Sequence, residues 1–552
     1  MTGSTAYRTW LTAALVAVAA LIATPAATEP GKPSTADRMA MFYAPQFNFT
    51  RDGEPLIHVG VLNGVADAEF SSRDPIRVLP LGDGGPEMSL PGGRAYTVRL
   101  RDGRPGDYRH WVVVQRFRYG HDDLIQTTID AWVERGYLPR TIEIGGLFAV
   151  GGRRFDSRAV LIALGGFEDR GAASALAARL ERRFGIEPEF HRELLAYPGG
   201  RLDLGDRGNP SRVTHQDVLW VAPTKEGQTF RLQTHQGERT YAGSVVFTVH
   251  RDGSLSVVNV APVETILKGV VPSEVYTSAP MESLKAQAVA ARGTLISALG
   301  TRHLADPYLL CSEVHCQAYS GLTREHPRTS RAVEETRGEL MFAREPWEDR
   351  WHIVDARYSA NCGGHSEHND NVWGGDPHSY LRGHADTHSE DERFKGGVTR
   401  DNVKAWVNHR PDAWCNTRRY GGKRSFRWEK TVEPETLQSW VDERNSAVGR
   451  VQAVNILERG VSGRVTRMAV KGAGDTLILD RELTIRRAFG GLRSSMFVMT
   501  TDAQGRFHFQ GGGFGHGVGM CQTGAMMMAH AGHDHRKILT HYYTGAHIEK
   551  LY

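Results

Sequence analysis

Apolar and polar positions alternate in short runs over the first part of the chain. Between Met41 and Leu100 the runs HVGVL, IRVLPL and YTVRL are separated by Gly-Asp-Gly-Gly and Pro-Gly-Gly, which predicts short strands joined by turns. A different rhythm starts at Tyr108. Trp111–Phe117 reads as a strand. Asp122 and Asp123 can open a helix whose apolar face is Ile125, Ile129, Trp132 and Val133. Thr141–Val150 and Arg158–Leu164 read as two strands turning through Gly151-Gly152. A second helix carries Ala173, Leu176, Leu180 and Phe184 on one face, and Ile186–His191 closes the unit as a strand. Alternation then returns from Gln216 to Val260, with Arg251-Asp252-Gly253 as a hairpin turn.

Helical spacing takes over at Pro262. Pro262–Val270 predicts a short helix, and Pro272 argues against its continuation. A second helix opens at Pro280 and buries Met281, Leu284, Ala288, Ala291 and Leu295, with Lys285, Gln287 and Arg292 as its polar members. Glu274 is therefore expected in a constrained loop between two helices. These patterns predict an α+β, multi-domain chain, rich in antiparallel sheet, with short helices around a cleft. The expected divisions are a signal peptide at 1–27, a linker at 28–40, a β-rich region at 41–107, a βαββαβ domain at 108–200 and a catalytic region at 201–552.

Composition narrows the function. A chain of 552 residues holds several domains, and its 61 glycines favour loops and sheet over long helices. The net charge of +4 gives no basic footprint for nucleic acid or an anionic membrane. Arg8, the apolar run Trp10–Ala23 and the small residues at Thr24–Ala27 read as an export signal cleaved after Ala26 or Ala27. The run is shorter than the ~20 residues of a membrane span, and an uncleaved tilted anchor is the rival reading. No stable membrane insertion of the mature chain is expected.

Three segments carry chemistry. Glu274, flanked by Val270, Val271 and Val275, has the partly desolvated setting that keeps a carboxyl protonated for general-acid work. Five cysteines, Cys311, Cys316, Cys362, Cys415 and Cys521, all lie in the second half, and an odd number cannot all pair within an exported chain. Cys311, His315 and Cys316, with Cys362 arriving from a distant turn, offer the thiolate and imidazole ligands that suit zinc. A Cys311–Cys362 or Cys316–Cys362 disulfide is the alternative. The third segment, Gly511 to Ala525, lets backbone approach a ligand closely but lacks the Lys-Ser/Thr of a phosphate loop.

LKGVVPSEVYTSAPMESLKAQAVAAR, CQAYSG, SANCGGHSE, the stretch from Ile485 to Ser494, GGGFGHGVGMCQTGAMMMA and ILTHYYTGA together resemble the stage II sporulation protein D / LytB amidase-enhancer family, in the family's order over about residues 241–552. The resemblance implies a lytic transglycosylase of peptidoglycan glycan strands, with Glu274 as the acid of the Gly-Val-Val-x-x-Glu motif. It also implies zinc held by Cys311, His315 and Cys316. Lys285, Gln287, Arg292, Gln317, Tyr319, Ser359, His365, His516 and Gln522 are the candidates for sugar contacts. Val275-Tyr276 departs from the family's usual Met-Pro after the acid. The βαββαβ order at 108–200 resembles a sporulation-related repeat (SPOR) domain, a binder of glycan strands stripped of stem peptides; a generic ferredoxin-like unit shares that order.

Two other functions fit the same residues. The family's second role is a non-catalytic wall-binding protein that stimulates a cell-wall amidase. A metal-dependent hydrolase centred on Cys311–Cys316 is the third. Further acids, Glu282, Glu313, Asp355, Glu367 and Asp370, leave a two-carboxylate glycosidase open. Every reading places the mature chain outside the cytoplasm, periplasmic or extracellular, at the cell wall.

Overall fold

Pro55–Val65 is an almost continuously buried strand, and it pairs antiparallel with Leu255–Pro262, Val59 opposite Asn259 and Gly60 opposite Val258. Around this pair the computed structural model builds an eight-stranded sheet that also takes in Asn48–Phe49, Ser244–Val249, Val218–Pro223, Ile76–Leu79 and Met88–Leu90. Leu310–Cys311 joins it parallel to Pro55–Val65. The structure describes residues 35–44, 48–79, 87–150, 152–184, 188–313, 316–346, 350–389 and 391–552. The expected signal peptide, the first part of the expected linker and His315 lie outside the described residues.

A six-stranded antiparallel sheet runs Asn209–Gln216, Gly199–Asp206, Arg94–Arg104, Asp67–Ser72, Thr229–Thr234 and Gly237–Ala242. Both sheets draw strands from before residue 107 and after residue 198, so the expected division between 41–107 and 201–552 is not a structural one. The alternating strands on either side of the intervening unit share one core, in which Ile57, Phe70, Tyr96, Leu202, Phe230, Phe247 and Val257 are buried together. The end of the expected linker is also structured. Thr35–Tyr43 is a helix that buries Met39 and Phe42 against Val246, Val258 and Tyr308, with Arg38 paired to Asp217.

The intervening unit is an antiparallel sheet in the order Glu189–Ala196, Asp107–Arg118, Ala159–Phe167, Arg140–Ile144. Numbered along the chain this is 4-1-3-2, the arrangement of a ferredoxin-like split βαβ unit. Helices Asp122–Glu134 and Arg170–Phe184 cover Val112, Ile162 and Leu164 with Ile125, Trp132, Ala173, Leu176 and Leu180. Val133, expected on that face, is half-exposed at the last turn. The expected single hairpin is resolved into more pieces. Arg140–Ile144 pairs directly with Ala159–Phe167, and a separate hairpin, Leu147–Val150 with Arg153–Asp156, projects between them. Phe155 of that hairpin stacks on Phe342, ring centroids 5.5 Å apart.

The C-terminal part has its own cores. Met281–Ser297, rich in small residues, is the central helix, and its buried Ala286, Val289 and Ala290 meet Val518, Met520, Ala525 and Leu539. A second core, formed by Trp428, Leu437, Val465, Met468, Leu479, Ile485 and Phe497, belongs to residues 427–512 alone. The whole is α+β and multi-domain. Among the described residues no helix is long and apolar enough to cross a membrane.

A buried ion pair ties the central helix to Val263–Glu274. Arg292, fully buried, donates to Glu264 through Nε at 2.9 Å and Nη2 at 2.6 Å, and through Nη1 to the Glu339 carbonyl at 2.9 Å. Tyr552 Oη and the Gly338 N–H also donate to Glu264, at 2.9 and 3.1 Å. Removing one member leaves the other charge desolvated and alone. Glu264→Gln is expected to lower the unfolding free energy by about 3–5 kcal/mol in denaturant titration. Lys268→Gln, which breaks a pair to the exposed Glu334, should cost under about 1 kcal/mol.

Candidate functional site

The helix expected to stop at Val270 runs through Pro272 to Glu274. Proline removes one N–H and crowds the carbonyl four residues back, but so near a helix end the loss is confined to one bond. The last turn is held otherwise: the Val275 N–H donates to the Val271 carbonyl at 3.1 Å, and Ser273 Oγ to the Gly269 carbonyl at 2.9 Å. Glu274 is therefore the last residue of a helix, not part of a loop. Gly269 lets this helix lie on the backbone of the neighbouring segment. A Cβ there would sit 2.2 Å from the Gly321 carbonyl oxygen. Gly321 itself has φ +61° and turns against the Thr240 carbonyl, a conformation and a clearance that only glycine supplies cheaply.

That close approach carries the Ala318 N–H to Glu274 Oε1, at 3.0 Å. The carboxyl is half-buried. Burial raises its pKa above the usual glutamate value, and the Ala318 N–H, which favours the anion, offsets part of that rise. Glutamines form the surroundings. Gln522 Nε2 donates to the main-chain carbonyl of Glu274 at 2.9 Å and to Gln287 Oε1 at 3.1 Å. Gln317 Nε2 donates to Tyr358 Oη at 3.1 Å and to the Ala291 carbonyl at 3.4 Å. Gln287 Nε2 and Gln317 Oε1, one donor and one acceptor, are buried without a protein partner among the described residues. Burial and the field of Glu274 hold the Tyr358 hydroxyl un-ionised.

The structure thus brings Glu274, Gln287, Gln317 and Gln522 together and adds Tyr358. Its one signal in the sequence was its place directly before Ser359-Ala-Asn-Cys. His516 lies beside the Tyr358 backbone and packs on Trp373, ring centroids 4.9 Å apart. Its Nδ1 accepts from the Val518 N–H at 3.0 Å, and burial lowers its pKa to about 3, so it is neutral. Ser359 Oγ accepts from the Gly517 N–H at 3.2 Å and braces the glycine-rich turn rather than facing solvent. Tyr276, Trp373 and Phe514 are exposed aromatic side chains.

Four predicted contacts are withdrawn. Lys285 is occupied by Glu282 and Glu335 at 2.9 and 2.8 Å. Two residues along a helix is about 200° of rotation, so Lys285 faces away from Gln287. Arg292 is fully buried in its ion pair. Tyr319 is buried with its hydroxyl donated to Asn259 at 2.8 Å, and His365 is buried with Nδ1 2.7 Å from the Ser366 carbonyl oxygen. The other acids stand elsewhere. Glu282 meets Lys285 and His535, Asp355 meets Arg357, and Asp370 meets Arg382. Glu367 is fully buried, accepting from Ser462 and the Val461 N–H, and Glu313 is exposed. Among the described residues none of them joins the Glu274 network.

The expected metal set is divided. Cys311 and Cys316 converge with His303, their ligand atoms within 4.8 Å of one another. His303 Nε2 is 3.3 Å from Cys316 Sγ, and its Nδ1 is oriented by Asp306 at 2.8 Å. A carboxylate behind a thiolate-facing imidazole is the second shell of a zinc ligand, so these residues fit the metal. Bound there, zinc would stiffen the turn that leads directly to Gln317 and Ala318. His303 had no motif to announce it. Cys362 is not part of this group and stands with Asp386, Cys415 and Cys521. The reason is strand pairing: Tyr358–Ser359 runs parallel to Met520–Cys521, whereas Leu310–Cys311 pairs with Pro55–Val65. Neither expected disulfide forms.

Residues 251–342, which hold Glu274, Gln287 and Gln317, match the model of the stage II sporulation protein family. That segment is similar to the family's domain, and together with the relatives below it supports a cell-wall-related function. Residues 367–519 match a domain of unknown function. An uncharacterised protein of Brachyspira hyodysenteriae is 28% identical over 331 residues, 59% of this chain and 78% of the relative. The amidase enhancer of Bacillus subtilis is 25% identical over 306 residues, 50% of this chain but only 39% of that protein. A solved structure of a putative exported protein from Burkholderia pseudomallei covers 33% of this chain and 29% of its own, at 15% identity and a TM-score of 0.18, too slight a likeness to carry an argument.

Because burial makes ionising Glu274 unfavourable, the stability it contributes when protonated is lost as pH rises through its raised pKa. Glu274→Gln keeps an oxygen for the Ala318 N–H. Thermal unfolding should therefore find the variant close to wild type at about pH 4 and more stable at about pH 7. A variant that loses stability toward neutral pH would show a carboxylate stabilised as the anion.

Proposed function

We propose that the protein is a peptidoglycan lytic transglycosylase that cuts between N-acetylmuramic acid and N-acetylglucosamine, with Glu274 as acid and then base. The observation that carries this reading is one carboxyl with a raised pKa in a glutamine-lined setting, with no second acid in its hydrogen-bond network among the described residues. Ordinary glycosidases need two carboxylates roughly 5–9.5 Å apart, one of them to activate water or attack carbon. A single acid suits a route in which the sugar supplies its own nucleophile.

In that route Glu274 gives its proton to the glycosidic oxygen as the C1–O bond breaks and the N-acetylglucosamine leaves with a free hydroxyl. The muramoyl C6 hydroxyl then bonds to C1 and returns its proton to the Glu274 carboxylate. The product carries a 1,6-anhydro end, no water is consumed, and the acid is regenerated. The Ala318 N–H occupies Oε1, which leaves Oε2 for the proton. It also steadies the anion between the two transfers. Gln522 fixes the backbone that carries the acid, and the unpartnered Gln287 Nε2 and Gln317 Oε1 offer a donor and an acceptor to sugar hydroxyl or acetamido groups. Tyr276, Trp373 and Phe514 offer ring faces on which pyranose rings stack.

The split βαβ unit is the proposed holder of the glycan strand, and a SPOR-like role would favour strands without stem peptides. The mature protein would act at the wall, in the periplasm or outside the cell. A second reading, stimulation of a cell-wall amidase without cleavage, is favoured by one observation: the relative in Bacillus subtilis is named an amidase enhancer.

Incubation of the purified chain with intact and peptide-stripped peptidoglycan, followed by mass spectrometry of product ends, separates the two. Anhydro-muramoyl ends are expected, falling by about 10²–10⁴-fold in Glu274→Gln. Reducing ends would mean hydrolysis. No cleavage, with faster release of stem peptides when an amidase is added, would replace this reading with the second.

A further inference from the structure

Cys362, Asp386, Cys415 and Cys521 form a second cluster, in which every residue is fully buried and the ligand atoms lie within 4.8 Å of one another. Cys362 Sγ is 3.5 Å from Cys415 Sγ and 3.2 Å from Asp386 Oδ2. In a tetrahedral zinc site, bonds of ~2.3 Å to sulfur and ~2.1 Å to oxygen put ligand atoms about 3.6–3.8 Å apart. The spacing is that of a ligand shell. A disulfide would need sulfurs at ~2.05 Å and would leave the third cysteine unpaired in the core.

The surroundings are those of ligands held in place. Cys521 Sγ accepts from the N–H groups of Cys362 at 3.2 Å and Gly524 at 3.4 Å. Asp386 Oδ1 is 3.0 Å from His541 Nε2, and Tyr542 Oη donates to Oδ2 at 3.3 Å, an outer shell that fixes the carboxylate. Two basic side chains hold the backbone beside the cluster: Arg464 donates to the Cys362 carbonyl at 3.1 Å and Arg427 to the Gly363 carbonyl at 3.0 Å. Without a cation, a carboxylate buried among three sulfurs has no counter-ion in the cluster itself.

We propose that these residues bind one structural zinc ion as a closed Cys₃Asp site. The four ligands come from four separate segments. Asp386 and Cys415 belong to the 367–519 domain, and Cys362 and Cys521 lie just outside its two ends. The ion staples the base of that domain to the family core. It also anchors Cys521, whose next residue, Gln522, holds the backbone of Glu274. Three sulfurs and one carboxylate leave no open position, so the ion has a structural role and does not handle substrate.

The test uses the full chain with Cys311→Ser and Cys316→Ser, which removes the other candidate site. Elemental analysis after exhaustive dialysis should find one zinc per chain. Cobalt(II) exchange should give the intense visible bands of a tetrahedral thiolate site. Mass spectrometry of the denatured, unreduced protein should find Cys362, Cys415 and Cys521 as free thiols. Adding Cys415→Ser should abolish both metal and bands. If that variant does not fold, the first three measurements still decide. A metal-free folded chain, a disulfide among the three cysteines, or cobalt bands unchanged by Cys415→Ser would overturn the proposal.

Discussion

The contact of Gly269 with the backbone at Gly321 is the constraint on which the site depends. It allows one short helix to lie directly against a turn, and the turn then presents a single amide to the carboxyl at the helix end. A side chain at residue 269 would push the two apart. Overpacking of that kind costs about 1–3 kcal/mol, but the larger consequence is geometric, since the Ala318 N–H reaches Glu274 only while the two segments touch. The buried Arg292–Glu264 pair holds the other end of the same helix, and Tyr552 caps that pair from the end of the chain. The acid is thus positioned by elements hundreds of residues apart in sequence.

Two opposed effects set the chemistry of Glu274. Desolvation favours the neutral form and the Ala318 N–H favours the anion, and desolvation is the larger. A carboxyl that is neutral at the start of a cycle and stabilised as an anion part-way through can serve as acid and base in turn. Among the described residues, Glu282, Asp355, Asp370 and Glu367 are held by their own cations or by hydroxyl and amide donors and Glu313 is exposed, so none of them joins the network. Their engagement, more than any single distance, is what separates Glu274 from them.

Much of this was legible in the sequence. The alternating strands and both helices of the split βαβ unit could be read from periodicity, and the motifs named Glu274 and the three glutamines that the structure brings together. What could not be read was long-range pairing. The two sheets join strands on either side of an inserted unit, which no local pattern reports. Cys362 was grouped with Cys311 and Cys316 as a thiolate arriving from a distant turn, whereas parallel pairing of Tyr358–Ser359 with Met520–Cys521 carries it to a different cluster. Pro272 suggested a helix end four residues too early, because the cost of a proline is small in a last turn braced by Ser273. Lys285, Arg292, Tyr319 and His365 were polar residues in the right segments, and their partners proved to be internal.

The central claim is that the sugar's own hydroxyl, and not water, closes the reaction begun by Glu274. Digestion of peptidoglycan in ¹⁸O-labelled water tests it most directly, by the mass of the new muramoyl ends. The account predicts ends that carry no ¹⁸O and lack the mass of one water. Ends that take up one ¹⁸O would show a hydrolase and contradict it.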